Sequence, residues 1–293
     1  MNWQDYQSIQ HAVQIQDRFI SYVDRADATE VDQEPVVLLH GIPTWGYLWK
    51  DLIGPLSQTR RTLVPDLLGF GFSDQRDCFD RSIARQAEYV DAWMDRLGLE
   101  SAMFIAHDIG GGVALRLATL FPNRVSRLCL LNTICYDSWP IELMLQFGHP
   151  WANRKMSAST AMKMLGTALR SGFSHAPDGE LLDGLLAPYR TEVGKQSLVR
   201  NAAALNTNQT TEITHLLPRI SVSTLVLWGE DDTFQDIKFG RRLADDIPGA
   251  EFVAIADARH FVMIDQPELV ATHVCDFAAK AKLVGAQMNN AAE

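Results

Sequence analysis

The sequence predicts an α/β protein built on a mainly parallel sheet, and three observations carry that expectation. Short apolar runs alternate with stretches of helical period as far as Leu131, the alternation lapses after Asn132, and it resumes at Ser223. Strands separated by helices imply crossover connections, hence parallel pairing with helices on both faces of the sheet.

Residues 12–15 and 18–23 read as a hairpin, 36–39 as a buried strand and 62–65 as another. A helix is expected over 82–97, because Ile83, Ala87, Val90, Trp93, Met94 and Leu97 recur near helical spacing. The run Met103-Phe104-Ile105 is a strand leading into Asp108; a helix over 110–121 stops at Pro122, and 125–131 is the next strand. From 133 to about 217 the patterns are helical, with aromatics and several Pro and Gly but no convincing strand. A strand at 223–228, a helix over 237–247, a short strand at 251–255 and a closing helix over 267–284 follow, and the tail 289–293 is expected to fray. The organisation expected is a core of 1–132 and 219–293 interrupted by a helical cap, 133–218, over the strands' C-terminal ends, where open α/β sheets bind ligands.

The 293 residues are 47% hydrophobic and 21% charged, an ordinary globular balance. A formal net charge of −10 with no basic tract argues against nucleic acid or anionic membrane as a partner. The first residues lack a basic and an apolar region, so no signal peptide is expected, and no run approaches the ~20 apolar residues of a membrane span. Four cysteines without C-x-x-C spacing are expected to be free thiols in a reducing cytoplasm. No histidine pair sits at ligand spacing, so no metal is expected.

Chemistry is expected where strands end. In Ala106-His107-Asp108-Ile109-Gly110-Gly111-Gly112 a strand, a tight turn and a helix surround one polar residue, the geometry that thrusts a nucleophile out of a sheet. Aspartate is also a common helix cap, and that simpler role stays open for Asp108 taken alone. The turn after the strand at 36–39 can present the Ile42 N–H, and the helix start can present that of Ile109; two such donors would hold an oxyanion. Trp228-Gly229-Glu230-Asp231-Asp232 and Ala258-Arg259-His260 close the last two strands, giving the order nucleophile, acid, histidine.

Together these segments resemble the α/β-hydrolase superfamily over nearly the whole chain. The likeness is to the aspartate-nucleophile branch, the haloalkane dehalogenases and epoxide hydrolases, and is closest to the dehalogenases in the core motifs. His40-Gly41-Ile42-Pro43-Thr44-Trp45-Gly46-Tyr47-Leu48-Trp49 looks like their H-G-x-P-T-x-x-Y-L-W, and Pro65-Asp66-Leu67-Leu68-Gly69-Phe70-Gly71-Phe72-Ser73-Asp74 like their P-D-x-x-G-x-G-x-S-D. The resemblance implies an α/β-hydrolase fold with Asp108 as nucleophile and His260 as the base that hydrolyses its ester. The family's G-x-x-D, counted from Gly229, reaches Asp232 rather than its neighbour Asp231. Some relatives carry the acid after the preceding strand, which here ends in Asn132 with no carboxylate before Asp137.

Two positions depart from the dehalogenase pattern. Ile109 stands where Trp usually holds the halide, and Ile42 where many relatives have Asn; neither side chain donates a hydrogen bond. A leaving group would then rely on Trp45, Trp139, His149, Trp151 or Tyr189. Epoxide opening would need a proton donor such as Tyr189 paired with His149 or His175. The expected function is cofactor-free hydrolysis of a small hydrophobic halogenated compound. Epoxide hydrolysis to a diol is the alternative, and a small-molecule binding protein that lost turnover is the second. The oligomeric state is not indicated.

Overall fold

In the computed structural model the described residues are 1–27 and 34–280. Eight strands form one sheet: β1 (His11–Ile15), β2 (Arg18–Arg25), β3 (Val36–Leu39), β4 (Thr62–Pro65), β5 (Ala102–His107), β6 (Val125–Leu131), β7 (Thr224–Gly229) and β8 (Glu251–Ile255). Their order is β1-β2-β4-β3-β5-β6-β7-β8. The first two pairings, β1 with β2 and β2 with β4, are antiparallel; all the others are parallel. Strands β3, β4, β5 and β7 are buried at every position, as continuous apolar runs covered on both faces must be. The edge strand β1 instead leaves most of its residues exposed.

The helices are α1 (Trp3–Ser8), α2 (Ile53–Ser57), α3 (Ile83–Arg96) and α4 (Ile109–Leu120) before the insertion. Between β6 and β7 come α5 (Glu142–Gly148), α6 (Pro150–Lys155), α7 (Ala158–Leu169), α8 (Gly179–Leu186), α9 (Glu192–Ala203) and α10 (Asn208–Thr211), with α11 (Ile237–Asp246), α12 (Val262–Asp265) and α13 (Pro267–Ala279) after it. The expected closing helix is seen to Ala279; its last residues and the tail lie outside the described residues. The short α1 carried no periodic signal. It is capped by Asn2 and buries only Tyr6, so tertiary contacts hold it.

Strand order places the site. The chain leaves β3 for β4 on one side and returns to β5 on the other, so the topological switch lies between β3 and β5, whose carboxyl ends carry Ile42 and Asp108. Register then aligns the neighbouring ends: Leu39 pairs with Ala106, His107 with Leu131, Leu131 with Leu227, and Gly229 with Ile255. Loops that are remote in sequence therefore emerge side by side.

The helical insertion is tied to the loops that leave β3 and β4. The Trp45 indole N–H donates to the Gly184 carbonyl at 2.9 Å, and the Tyr189 hydroxyl donates to the Thr44 carbonyl at 3.1 Å. The Gly69 carbonyl accepts from Ser197 Oγ and from Asn201 Nδ2, both at 2.7 Å, and buried Arg81 bonds the same two side chains.

Asp66 ties these loops to the N-terminus. Its buried carboxylate accepts from the N–H groups of Gly46 (2.8 Å) and Phe72 (2.9 Å) and from Gln10 Nε2 (2.9 Å). Burial pushes its pKa up to about 6, against these three bonds. Because the folded value lies above the ordinary one, the native state binds the proton more tightly than the unfolded chain. The group's contribution to stability is therefore full below the unfolded value and is lost as pH rises through about 6. Between pH 5 and pH 8 the native protein should lose about 1 kcal/mol that an Asp66→Asn variant does not lose. Urea unfolding of both proteins at the two pH values checks this; parallel losses would contradict it.

Candidate active site

Asp108 stands between β5 and α4 with φ +51° and ψ −123°, a backbone conformation that costs a non-glycine residue about 1–3 kcal/mol. The surroundings leave it no alternative. Its carbonyl accepts from the N–H groups of Gly111 (3.0 Å) and Ile134 (3.2 Å) and from Thr133 Oγ1 (3.1 Å). A Cβ on Gly110 would lie 2.5 Å from the carbonyl oxygens of Leu39 and His40, and one on Gly41 would lie 2.5 Å from Asp108 Cβ. Only residues without side chains let the helix start and the β3 loop approach this closely.

The Asp108 side chain makes no helix-capping hydrogen bond. Its Oδ1 accepts from the Ile42 N–H at 2.8 Å, and the neighbouring Ile109 N–H also favours the charged carboxylate. His40 sets the β3 loop: its Nδ1 lies 2.9 Å from the Gly41 carbonyl, and its Nε2 accepts from the Leu67 N–H at 3.0 Å. Burial holds the His40 pKa down near about 4, so it serves as a neutral strut.

His260 Nδ1 lies 3.0 Å from Asp232 Oδ2, so in the neutral ring the proton sits on Nδ1 and Nε2 carries the lone pair. Nε2 points to Asp108 Oδ2 at 3.7 Å, beyond hydrogen-bond length. Asp232 is fixed on every side. Its Oδ1 accepts from the N–H groups of Phe234 (2.7 Å) and Gln235 (3.0 Å), and its Oδ2 also accepts from Asn132 Nδ2 at 2.6 Å. Its neighbour Asp231 is exposed. The structure thus brings Asp108, Asp232 and His260 together and leaves Asp231 outside.

Burial raises the Asp108 pKa, opposed by His260 and the two N–H donors. For His260 burial works downward, but the charge and hydrogen bond of Asp232, with the charge of Asp108, more than offset it and raise the pKa.

Two contacting residues were not singled out in the sequence. Asn132, at φ +41°, also accepts from the Gly229 N–H at 3.2 Å and so locks the β6 end to the β7 end beneath Asp232. A search for carboxylates passes over an amide there. His107 is buried and its Nε2 lies 3.0 Å from the His260 carbonyl, with ring centroids 4.6 Å apart. Burial and the neighbouring His260 push its pKa well down, which keeps a second positive charge away from His260.

Asp108 and His260 face a cavity of about 30 Å³, room for roughly two waters. Its walls are apolar, among them Ile42, Ile109, Ile134, Leu143, Met144 and Leu205. Of the five expected leaving-group contacts only Trp139 lines it, and the Trp139 indole N–H is committed to Thr210 Oγ1 at 2.7 Å. Trp45 and Tyr189 are buried struts between loop and insertion, while His149 and Trp151 are exposed beside an outer groove. His175 bonds Ser174 Oγ at the surface.

The family model for the alpha/beta hydrolase fold matches residues 34–267. The chain belongs to that family. It is 27% identical over 278 residues to a cis-3-alkyl-4-alkyloxetan-2-one decarboxylase of Shewanella oneidensis, covering 88% of this chain and 86% of that protein. It is likewise 27% identical over 271 residues to haloalkane dehalogenase 2 of Mycobacterium tuberculosis, covering 88% and 90%. An alpha/beta hydrolase fold protein from Burkholderia ambifaria superposes with a TM-score of 0.85 at 24% identity, over 92% of this chain and 97% of that one. A haloalkane dehalogenase from Bradyrhizobium elkani gives 0.82 at 21% identity, over 92% and 97%. Likeness to such enzymes over most of their length makes this α/β-hydrolase family member an enzyme, which sets aside the binding-only alternative. No described helix is long and apolar enough to cross a membrane.

The balance at His260 is testable directly. Removing the Asp232 charge leaves burial unopposed by its strongest partner, so Asp232→Asn should bring the His260 pKa below its ordinary value. NMR titration of the imidazole reads the change; an unchanged pKa would show that Asp232 does not set it.

Proposed function

We propose that this enzyme hydrolyses a hydrophobic alkylating compound through an ester of Asp108, with a halogenated hydrocarbon as the first substrate class. The observation that carries the proposal is the aim of the Asp108 carboxylate. Oδ1 is occupied by the Ile42 N–H, while Oδ2 faces His260 Nε2 across a cavity that is otherwise nearly all carbon. An ionised carboxylate needs no base to attack. Oδ2 bonds to an sp³ carbon of the substrate, and the carbon–halogen electron pair leaves as halide. A water then attacks Cγ of the ester and gives its proton to His260 Nε2. The oxyanion forms on Oδ1, between the N–H groups of Ile42 and Ile109. Its collapse expels the alcohol oxygen, which takes the proton back from His260. Asp108 is left as the carboxylic acid and returns to carboxylate by giving that proton to His260 and on to solvent. Each N–H donor in such a hole is often worth ~3 kcal/mol of barrier.

Treating 133–218 as a cap means that it would exclude water from the first step. It also identifies what the site lacks. Among the described lining residues, no side chain other than a protonated His260 offers a free donor for a halide, since the Trp139 N–H is engaged. That observation favours a second reading, in which the leaving group carries its own stabilisation. In an oxetan-2-one, the ring named for the Shewanella relative, attack by Asp108 at the ring carbon bearing the ester oxygen breaks that C–O bond and frees a delocalised carboxylate still attached to the substrate. Loss of CO2 then makes a C=C bond and expels Asp108 as carboxylate. Epoxide opening is less well served, because an alkoxide needs a proton. Tyr189 is committed to Thr44, and the Tyr136 hydroxyl to Asp246 at 2.6 Å.

The deciding experiment replaces His260 by Phe, incubates the protein with haloalkanes, epoxides and oxetan-2-ones, and weighs it intact. A mass increase equal to the alkyl group less one hydrogen should appear with haloalkanes, or one equal to the whole epoxide with epoxides, and each should be absent in an additional Asp108→Asn change. Oxetan-2-ones should leave no lasting adduct, because decarboxylation expels Asp108 without His260. Wild-type products separate the chemistries: halide with alcohol, a diol, or an alkene with CO2. Turnover that persists in Asp108→Asn would refute the nucleophile assignment.

Two further outcomes follow for the ester-hydrolysis route. Asn132→Ala removes a hydrogen bond to a charged acceptor, a loss of about 1.5–3 kcal/mol. Hydrolysis of the alkyl-enzyme should slow about ten- to a hundred-fold, while its formation in single-turnover mixing changes little. His260 must be neutral to act as base and its pKa is raised, so steady-state turnover should already decline as pH falls toward 6.5, with enzyme accumulating as adduct. A profile flat through that window would contradict the assignment of His260 as base.

A further inference from the structure

The insertion carries an apolar groove of about 610 Å³ that none of the chemistry above uses. It lies along α5 and is lined by Leu145, Phe147, Trp151, Met156, Met164 and Leu165. Three of the large apolar side chains exposed among the described residues converge there: Leu145 at 50%, Trp151 at 56% and Met164 at 48% exposure. Single exposed apolar residues are ordinary, but several gathered in one cleft of ligand size mark a binding surface.

Two observations identify the occupant. The cavity at Asp108, at about 30 Å³, cannot enclose a substrate of any length, yet Leu143 is a wall of both that cavity and the groove. Among the described residues, the groove's lining contains no lysine or arginine and one carboxylate, Glu142, so none of these would pair with an anionic headgroup. We propose that this groove is a subsite for an unbranched hydrocarbon chain: the substrate is an elongated lipophilic electrophile whose reactive carbon reaches Asp108 past Leu143 while its chain lies along α5. This rests on the reading of Asp108 as nucleophile and adds to it the substrate's shape. Burial of successive methylenes should raise affinity about three- to four-fold each until the groove is filled.

The test uses 1-bromoalkanes from propyl to dodecyl on the His260→Phe protein, with adduct formation followed by intact mass. The dodecyl compound should react at least ten-fold faster than the propyl compound at equal low concentration. Met164→Glu, which places a charge in the groove at a half-exposed position, should cut that ratio at least ten-fold. Leu269→Glu, on the exposed face of α13 outside the groove, should not change it. Leu145→Glu repeats the measurement if Met164→Glu lowers the unfolding midpoint.

A second readout does not depend on Asp108. Calorimetry with 1-decanol, which has no leaving group to displace, should show binding to the parent that weakens at least ten-fold in Met164→Glu. Adducts without chain-length preference, or a ratio untouched by both groove variants, overturn the subsite and leave the nucleophile standing. Decanol binding that is lost in Met164→Glu, with no adduct from any bromoalkane, supports the groove and refutes displacement of halide by Asp108. Neither binding nor adducts refutes both the subsite and halide displacement.

Discussion

The positive φ of Asp108 is the constraint on which the rest of the site depends. An L residue with this backbone is strained, and the strain persists only because β5, α4, the β3 loop and the Thr133-Ile134 segment surround it with hydrogen bonds and close backbone contacts. The same contacts present the Ile42 and Ile109 N–H groups to the carboxylate. Relaxation of Asp108 to an ordinary conformation would therefore redirect the side chain and separate it from both donors at once.

A second organising feature is the gathering of two carboxylates and an imidazole in a nearly dry space. Burial alone would neutralise each group. Asp232 accepts four hydrogen bonds, and it favours positive charge on His260. Asp108 has fewer partners and stays close enough to His260 to feel its charge without bonding to it. The arrangement is graded: a fixed anion, a ring oriented by that anion, and a carboxylate with one oxygen uncommitted.

Much of this was legible in the sequence because the signals were local. Apolar runs such as Val36-Val37-Leu38-Leu39 bounded by Gly or Pro leave little choice but a buried strand, and small residues on both sides of Asp108 announce a tight turn. The spacing from Gly229 likewise separated Asp232 from Asp231, and burial follows that spacing. The tasks of Trp45, Trp139 and Tyr189 were not legible. An indole N–H or phenol can serve a ligand or satisfy a buried carbonyl, and only the third dimension says which. The six-residue helix Trp3–Ser8 and the bracing amide of Asn132 escaped for the same reason: each is defined by what it touches across the chain.

The backbone N–H groups of Ile42 and Ile109 have a consequence for how such a site can change. The groups that meet the carboxylate belong to the main chain, so they survive replacement of either side chain that keeps the backbone path. The side chains of those residues meanwhile form part of the cavity wall. One residue thus contributes an unalterable electrostatic element and an interchangeable steric one. The charge environment of the carboxylate is inherited with the backbone, and selection or engineering can reshape the cavity at these two positions without first dismantling that environment.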